Sequence, residues 1–183
     1  AYLTAEVRGR PNLEIRPETF VRRLTFDGRR VVGAEVEHAG EVEVIEADEV
    51  LVATGAVETP HLLMRSGVGP QEILDDWGVD LVARNDDIGA QLLDHPGMAM
   101  FLRPRLFKGT SPRHDLIQTT CRYASGTNEL PNDLIMQPGA AVPTPWLTLP
   151  FVSIMVMVGK PRGTGSIRWE SADPHAEPRI ESA

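Results

Sequence analysis

The side chains best placed to do chemistry lie in one stretch, Asp48 to Pro70, which reads DEVLVATGAVETPHLLMRSGVGP. A short apolar run, Val50 to Ala53, leads into Thr54 and Gly55. Glu58, Thr59 and Pro60 then precede the apolar segment His61 to Arg65. The run suits a central strand covered on both faces. Gly55 permits a sharp turn or the close approach of a ligand. Thr59 suits an N-cap, and Pro60 the first helical position, where its missing N–H has no partner to lose. Gly67, Gly69 and Pro70 stop the helix. A strand, a glycine turn and a helix N-terminus can hold an anion or a dinucleotide, because free backbone N–H groups and the helix dipole point at the ligand. Thr54 and Gly55 stand at the carboxyl end of that strand, where α/β sheets bind ligands, so both are candidate cofactor-binding residues. Glu58 has two readings: it caps backbone N–H groups, or it meets a ribose hydroxyl. The same elements also build α/β proteins without a ligand. The GxGxxG fingerprint is absent from the chain, which argues against a complete, conventional dinucleotide domain.

Other polar groups carry less. Asp94 and His95 are adjacent rather than arranged as a relay, and the prolines and leucines around them point to a structural turn. Asp86-Asp87 reads as a solvated loop pair. His38, His114 and His175 lie near loops, and their spacing fits no zinc pattern. Cys121 falls in a predicted strand and reads as a small buried apolar residue. Trp146, between Pro145 and Pro150, reads equally as a stiff pocket wall and as loop packing.

Composition sets the outer bounds. The chain has 183 residues, enough for one domain with a real core or for two small lobes. A formal charge of -8, with no uninterrupted basic cluster, disfavours a nucleic-acid partner. The single cysteine, Cys121, cannot form an internal disulfide, which argues against a disulfide-held secreted scaffold and leaves export open; the expected location is cytoplasmic. No apolar stretch reaches membrane-spanning length.

The positioning elements read as follows. Ala1 to Leu3 resembles the end of a preceding helix. Leu13 to Arg16, Phe20 to Phe26, Val31 to Glu37 and Val42 to Val44 alternate, with Asp27-Gly28 as a hairpin signal, and form a β-meander feeding the central strand. A second helix is expected over Gln71 to Trp77, stopped by Gly78, then a strand over Val79 to Ala83. Ala90 to His95 is a helical turn or loop. Beyond Pro96 the chain turns mainly to strand: Met98 to Pro104, Leu116 to Tyr123, Asp133 to Gln137 and Phe151 to Val158. Lys108 to Pro112 is a loop, Pro138 to Pro150 wanders, and Gly165 to Trp169 is the hairpin partner of Phe151 to Val158.

Gly55-Ala56, Thr59-Pro60, Leu62-Leu63 and Ser66-Gly67-Val68-Gly69 match the fixed points of the second signature of the glucose–methanol–choline (GMC) flavin oxidoreductases, and the chain resembles that family. Asp87-Ile88-Gly89-Ala90-Gln91-Leu92-Leu93-Asp94-His95-Pro96 resembles the family's following block, with Gln91 in place of the common Asn. Arg162 to Arg168 and Ser171 to Ile180 resemble its late substrate-domain block, and Arg10 to Leu13 and Val31 to Ala34 its pre-signature region. The likeness is weakest from Lys108 to Thr148.

The resemblance implies FAD as cofactor and a fold of α/β plus mainly antiparallel β. Residues 1–96 would be part of a Rossmann-like FAD-binding domain and residues 97–183 part of a β-sheet substrate-binding domain. It places Val21 where the family's backbone meets the adenine of FAD, and favours cofactor proximity for Thr54 and Gly55. It implies a middle slice of a longer enzyme, with the pyrophosphate-binding glycines before Ala1 and the catalytic histidine and its partner beyond Ala183, so no catalytic residue is assigned here. The implied chemistry is hydride transfer from an alcohol CH–OH group to FAD, as in choline dehydrogenase-like or alcohol oxidase-like enzymes. The partners would be a small alcohol and the remaining parts of the same polypeptide, and these residues alone would not turn over. The competing readings are a non-catalytic module on the same scaffold and a fragment of a nicotinamide-dependent dehydrogenase.

Overall fold

The computed structural model describes residues 2–103, 105, 115–117, 119–127, 129–143 and 148–182. In chain order they form α1 (Ala5–Arg8), β1 (Thr19–Asp27), β2 (Arg30–His38), β3 (Glu41–Glu46), α2 (Gly55–Arg65), β4 (Val68–Gly69), α3 (Gln71–Trp77), β5 (Ala83–Arg84), β6 (Gly97–Leu102), β7 (Cys121–Tyr123), β8 (Leu134–Pro143), β9 (Thr148–Val158), β10 (Ser166–Arg168) and β11 (Arg179–Glu181). This is α/β plus mainly antiparallel β. The chain divides into two compact units, residues 1–91 with 166–181 and residues 92–165 with 182–183. The sequence reading puts a single boundary near Pro96. In the structure the segment 166–181 returns to the first unit instead.

In the first unit, β1, β2 and β3 form the expected antiparallel meander. Asp27 pairs with Arg30, so the hairpin loop is the two residues Gly28 and Arg29. α2 packs on this meander through its last turn. Arg65 Nη2 donates to the Val21 carbonyl at 2.9 Å, and Arg65 Nε donates to the Arg22 carbonyl. Ser66 Oγ accepts the Leu24 N–H at 2.8 Å and donates to the Leu62 carbonyl. Leu24, Leu62, Arg65 and Ser66 are all buried. These bonds satisfy backbone groups of β1 that β2, its sheet neighbour among the described residues, leaves free.

Gly67 then turns the chain at φ 90°. Its N–H bonds the Met64 carbonyl, and its own carbonyl accepts the Val82 and Ala83 N–H groups. β4 and β5 pair in parallel around α3, which ends at Gly78 as its sequence predicts. Met64, Leu74, Ile167 and Trp169 form the buried core of this unit, with Val57, Ile73, Trp77 and Ile88 packed around it. Two of the four core residues come from the return segment. A Cβ on Gly89 would sit 2.6 Å from the Ile167 carbonyl, so this glycine lets the return segment bond its backbone.

Several expectations fail here for identifiable reasons. Val50 to Ala53 belongs to no sheet, and Leu51 is 94% exposed. β-branched residues favour extended backbone, but a central strand also needs a neighbour on each edge, and none of the described strands supplies one. The helix starts at Gly55, not after Thr59, and Pro60 lies inside it. The only acceptor Pro60 forfeits is the carbonyl of Ala56, at the helix start, so the proline is tolerated. Leu13 to Arg16 forms no strand; Arg16 instead bridges Glu14 and Glu43 through its side chain. Thr4 caps α1, and Tyr2 and Leu3 before it are not helical. Of Val79 to Ala83, only Ala83 joins a strand. Ala90 to His95, expected as a helical turn or loop, is the loop, and Leu92 in it bridges Gly165.

The second unit is a four-stranded antiparallel sheet in the order β6-β9-β8-β7. β9 is flanked on both edges, by β6 and β8. It therefore has no edge for Gly165 to Trp169, and β10 pairs with β11 instead. Pro138 and Pro143 lie within β8, in a stretch expected to wander. β7 covers β8 only from Leu134 to Met136. Further along, Ile117 bridges Gly139 and the Leu116 carbonyl accepts the Ala140 N–H, and the register of β8 on β9 shifts between Ala140 and Val142, an irregularity next to which Pro143 is tolerated. Cys121 lies on β7 and is exposed, not buried, because this strand is at the sheet's edge. Lys108 to Pro112, His114, Pro145 and Trp146 lie outside the described residues.

Two substitutions test this architecture. Ser66→Ala strands the buried Leu24 N–H and should cost about 1–3 kcal/mol, read as a lower urea midpoint with an unchanged slope. Gly67→Ala combines a left-handed backbone with a Cβ only 2.5 Å from the Asp80 carbonyl, and should cost at least about 2 kcal/mol in the same titration. Wild-type midpoints for both variants would refute the packing described.

Candidate functional site

Three of the four candidate cofactor residues, Thr54, Gly55 and Glu58, lie at the N-terminus of α2. Thr54 occupies the N-cap position at φ -83° and ψ 4°, and its side chain caps no backbone N–H. Its Oγ1 instead lies 2.9 Å from Thr59 Oγ1, so the hydroxyl that would close the first turn is engaged elsewhere. The first-turn N–H groups of an eleven-residue helix are thus left without a side-chain cap. Gly55 has φ 85°, and the position of its missing Cβ faces open space. A side chain there would be strained by the backbone. Thr54, Gly55 and Glu58 are all exposed.

Glu58, in the first turn, complements the positive end of the helix dipole. Its negative charge also acts one turn and two turns further on, favouring the charged forms of His61 and Arg65. The Arg65 pKa is nevertheless lowered, because burial dominates and the charge of Glu58 only opposes it. No carboxylate forms an ion pair with Arg65 among the described residues, and its charge is met by the Val21 and Arg22 carbonyls and by the face of Phe20. The guanidinium lies 5.8 Å from the Phe20 ring centre, within cation–π range.

Val21 lies on β1 in partial burial, and its carbonyl is held by Arg65. The structure therefore connects Val21 to the last turn of α2, while Thr54, Gly55 and Glu58 stand at its first turn, about 15 Å away along the axis. No hydrogen bond among the described residues joins Val21 to those three. The four candidates form two groups along one helix, held in fixed relation by the Arg65–Ser66 clamp. Uncapped donors, an open glycine and an exposed acidic side chain in the same first turn suit the phosphate and hydroxyl groups of a dinucleotide. Asp94 accepts from the N–H of His95, which makes the pair a local turn.

Two residues that the sequence places only in the apolar segment His61 to Arg65 prove to matter. Arg65 is a charged residue four positions after His61, on a face that must pack, which is the signal of a buried polar contact. His61 is fully buried. No helix of the described residues is long and apolar enough to cross a membrane.

The comparisons with known proteins show the family. The family model described as GMC oxidoreductase matches residues 1–97. An uncharacterized GMC-type oxidoreductase of Rhodococcus erythropolis is 35% identical over 93% of this chain and 34% of its own length. The 5-(hydroxymethyl)furfural oxidase of a Methylovorus species is 30% identical over 98% of this chain and 34% of its own length. Among solved structures, pyridoxine 4-oxidase from Mesorbium loti superposes with a TM-score of 0.70 at 27% identity, over 100% of this chain and 37% of that one. The chain spans about a third of the length of the curated relatives it matches. With the signature helix in place and the family model covering more than half of its residues, the chain belongs to the GMC oxidoreductases, a family of FAD-dependent flavoproteins.

Proposed function

We propose that this chain is part of a flavin-dependent alcohol oxidoreductase and supplies one section of the FAD cradle together with a wall of the substrate site. The observation that carries the reading is the first turn of α2: uncapped backbone donors beside Gly55, whose φ of 85° leaves the approach open. In this reading Thr54 and Gly55 hold the backbone donors toward the cofactor. Glu58 accepts from a ribose hydroxyl, and Val21 offers backbone to the adenine. FAD, when bound, supplies the two-electron acceptor for the hydride of an alcohol carbon. The two units would form parts of the cofactor domain and of the substrate domain. The second unit contributes the β6-β9-β8-β7 sheet. A relative named for oxidising a hydroxymethyl compound supports an alcohol as hydride donor.

The assigned residues position a cofactor; none of them is a base for the hydroxyl proton. The chain by itself is therefore inactive, and activity belongs to a longer polypeptide that brings the base. A cytoplasmic location fits the single, unpaired thiol.

The test is Gly55→Val in the flavin-bearing protein that contains this chain. A β-branched residue at a left-handed φ costs about 1–3 kcal/mol and fills the approach to the helix, so FAD retention should fall at least about tenfold. The readout is the ratio of flavin to protein absorbance after dialysis. Full retention of flavin by the variant, or alcohol oxidation by the 183-residue chain alone, would overturn the proposal.

A further inference from the structure

His61 is the most completely buried titratable group described in the first unit, with no exposed surface. Its ring stacks on Trp169 of the return segment, with centres 4.8 Å apart and planes 9° apart. Trp77 of α3 meets it edge-on at 5.7 Å. Nε2 lies 3.1 Å from the Ser171 carbonyl oxygen. A carbonyl can only accept, so Nε2 carries the proton and Nδ1 carries the lone pair. Nδ1 is buried and has no hydrogen-bond partner among the described residues. The neutral ring thus joins three elements, α2, α3 and the return segment.

We propose that His61 is an acid-sensitive latch: the neutral imidazole fastens residues 166–181 to α2, and a proton on Nδ1 loosens that attachment. Protonation would create a buried cation and a buried N–H with no acceptor, two costs that the present contacts do not offset. The charged groups acting on the ring are Arg65 and Glu58 from its own helix and Asp173 from the return segment; α3 presents the uncharged Trp77 ring. Arg65 opposes a second positive charge, while Glu58 and Asp173 favour it. Burial is the largest influence and holds the imidazole pKa below its ordinary value of 6.5, with the bond to Ser171 opposing. A group whose folded pKa lies below its unfolded one contributes stability that is present above the unfolded value and is lost as pH falls toward the folded one. The return segment supplies Ile167 and Trp169 to the core, so its release removes half of the core cluster.

The experiment follows two readouts on the full protein that bears this chain. The first is deuterium exchange at the imidazole C2 position, measured peptide by peptide across pH. His61 should exchange slowly and titrate below 6.5, whereas exposed His38 provides an internal reference. The second is backbone amide exchange in residues 166–181, corrected for intrinsic rate. Its opening equilibrium should rise by up to about tenfold for each pH unit below the ordinary imidazole value, and His61→Gln, whose amide can still donate to Ser171, should remove that dependence. A His61 midpoint at or above 6.5, or the same pH dependence in His61→Gln, overturns the proposal. If the variant does not fold, the imidazole titration of the unsubstituted protein decides alone.

Discussion

The buried Arg65 guanidinium is the constraint on which the first unit depends. A cation at 8% exposure normally needs a carboxylate, and no ion pair to Arg65 is formed among the described residues. Backbone carbonyls of Val21 and Arg22 take that role, and the face of Phe20 lies against the same group. Ser66, the next residue, takes the Leu24 N–H. Two consecutive side chains thus answer polar backbone groups on the outer edge of β1. An edge strand with free N–H and C=O groups is otherwise a liability, and here it becomes the seat of a helix. The cost of desolvating the guanidinium is the condition for fixing α2, and with it the Gly55 turn, against the meander.

From that seat the remaining geometry follows in sequence. Gly67 turns the chain where a side chain would strike the Asp80 carbonyl, so β4 and β5 can pair behind α2. Gly89 admits the Ile167 backbone, so the return segment can complete the core with Ile167 and Trp169. His61 closes the arrangement from the middle of α2. The helix holds backbone donors at one end, an aromatic latch in its middle and a strand clamp at the other end. Its signature residues therefore have distinct physical duties, and Thr54, Gly55 and Glu58 at the first turn are exposed.

Local order was legible in the sequence wherever it rested on short-range rules. The alternation of β1 and β2, the Asp27-Gly28 turn and the stop of α3 at Gly78 all follow from residues within a few positions of one another. Pairing between distant segments was not. Nothing local says that β10 pairs with β11 and leaves β9 alone, because the choice depends on β6 and β8 already filling both edges of β9. Val50 to Ala53 has the composition of a central strand, but composition does not supply neighbours. The turn at Gly55 was legible locally, but the helix start was not, because Thr59-Pro60 carries the local start signal and the helix begins at Gly55. The burial of His61 and the clamp of Arg65 were hidden, because each depends on a partner more than forty positions away.

The most direct test of the clamp is the amide exchange of Leu24. This N–H lies on the edge of β1 and has Ser66 Oγ as its acceptor. If α2 and β1 are one fastened unit, the Leu24 amide should be protected as strongly as the amides bonded between β1 and β2, and should exchange only when the unit opens as a whole. Exchange near the rate of an unstructured chain, with the β1–β2 amides still protected, would contradict the clamp and the account built on it.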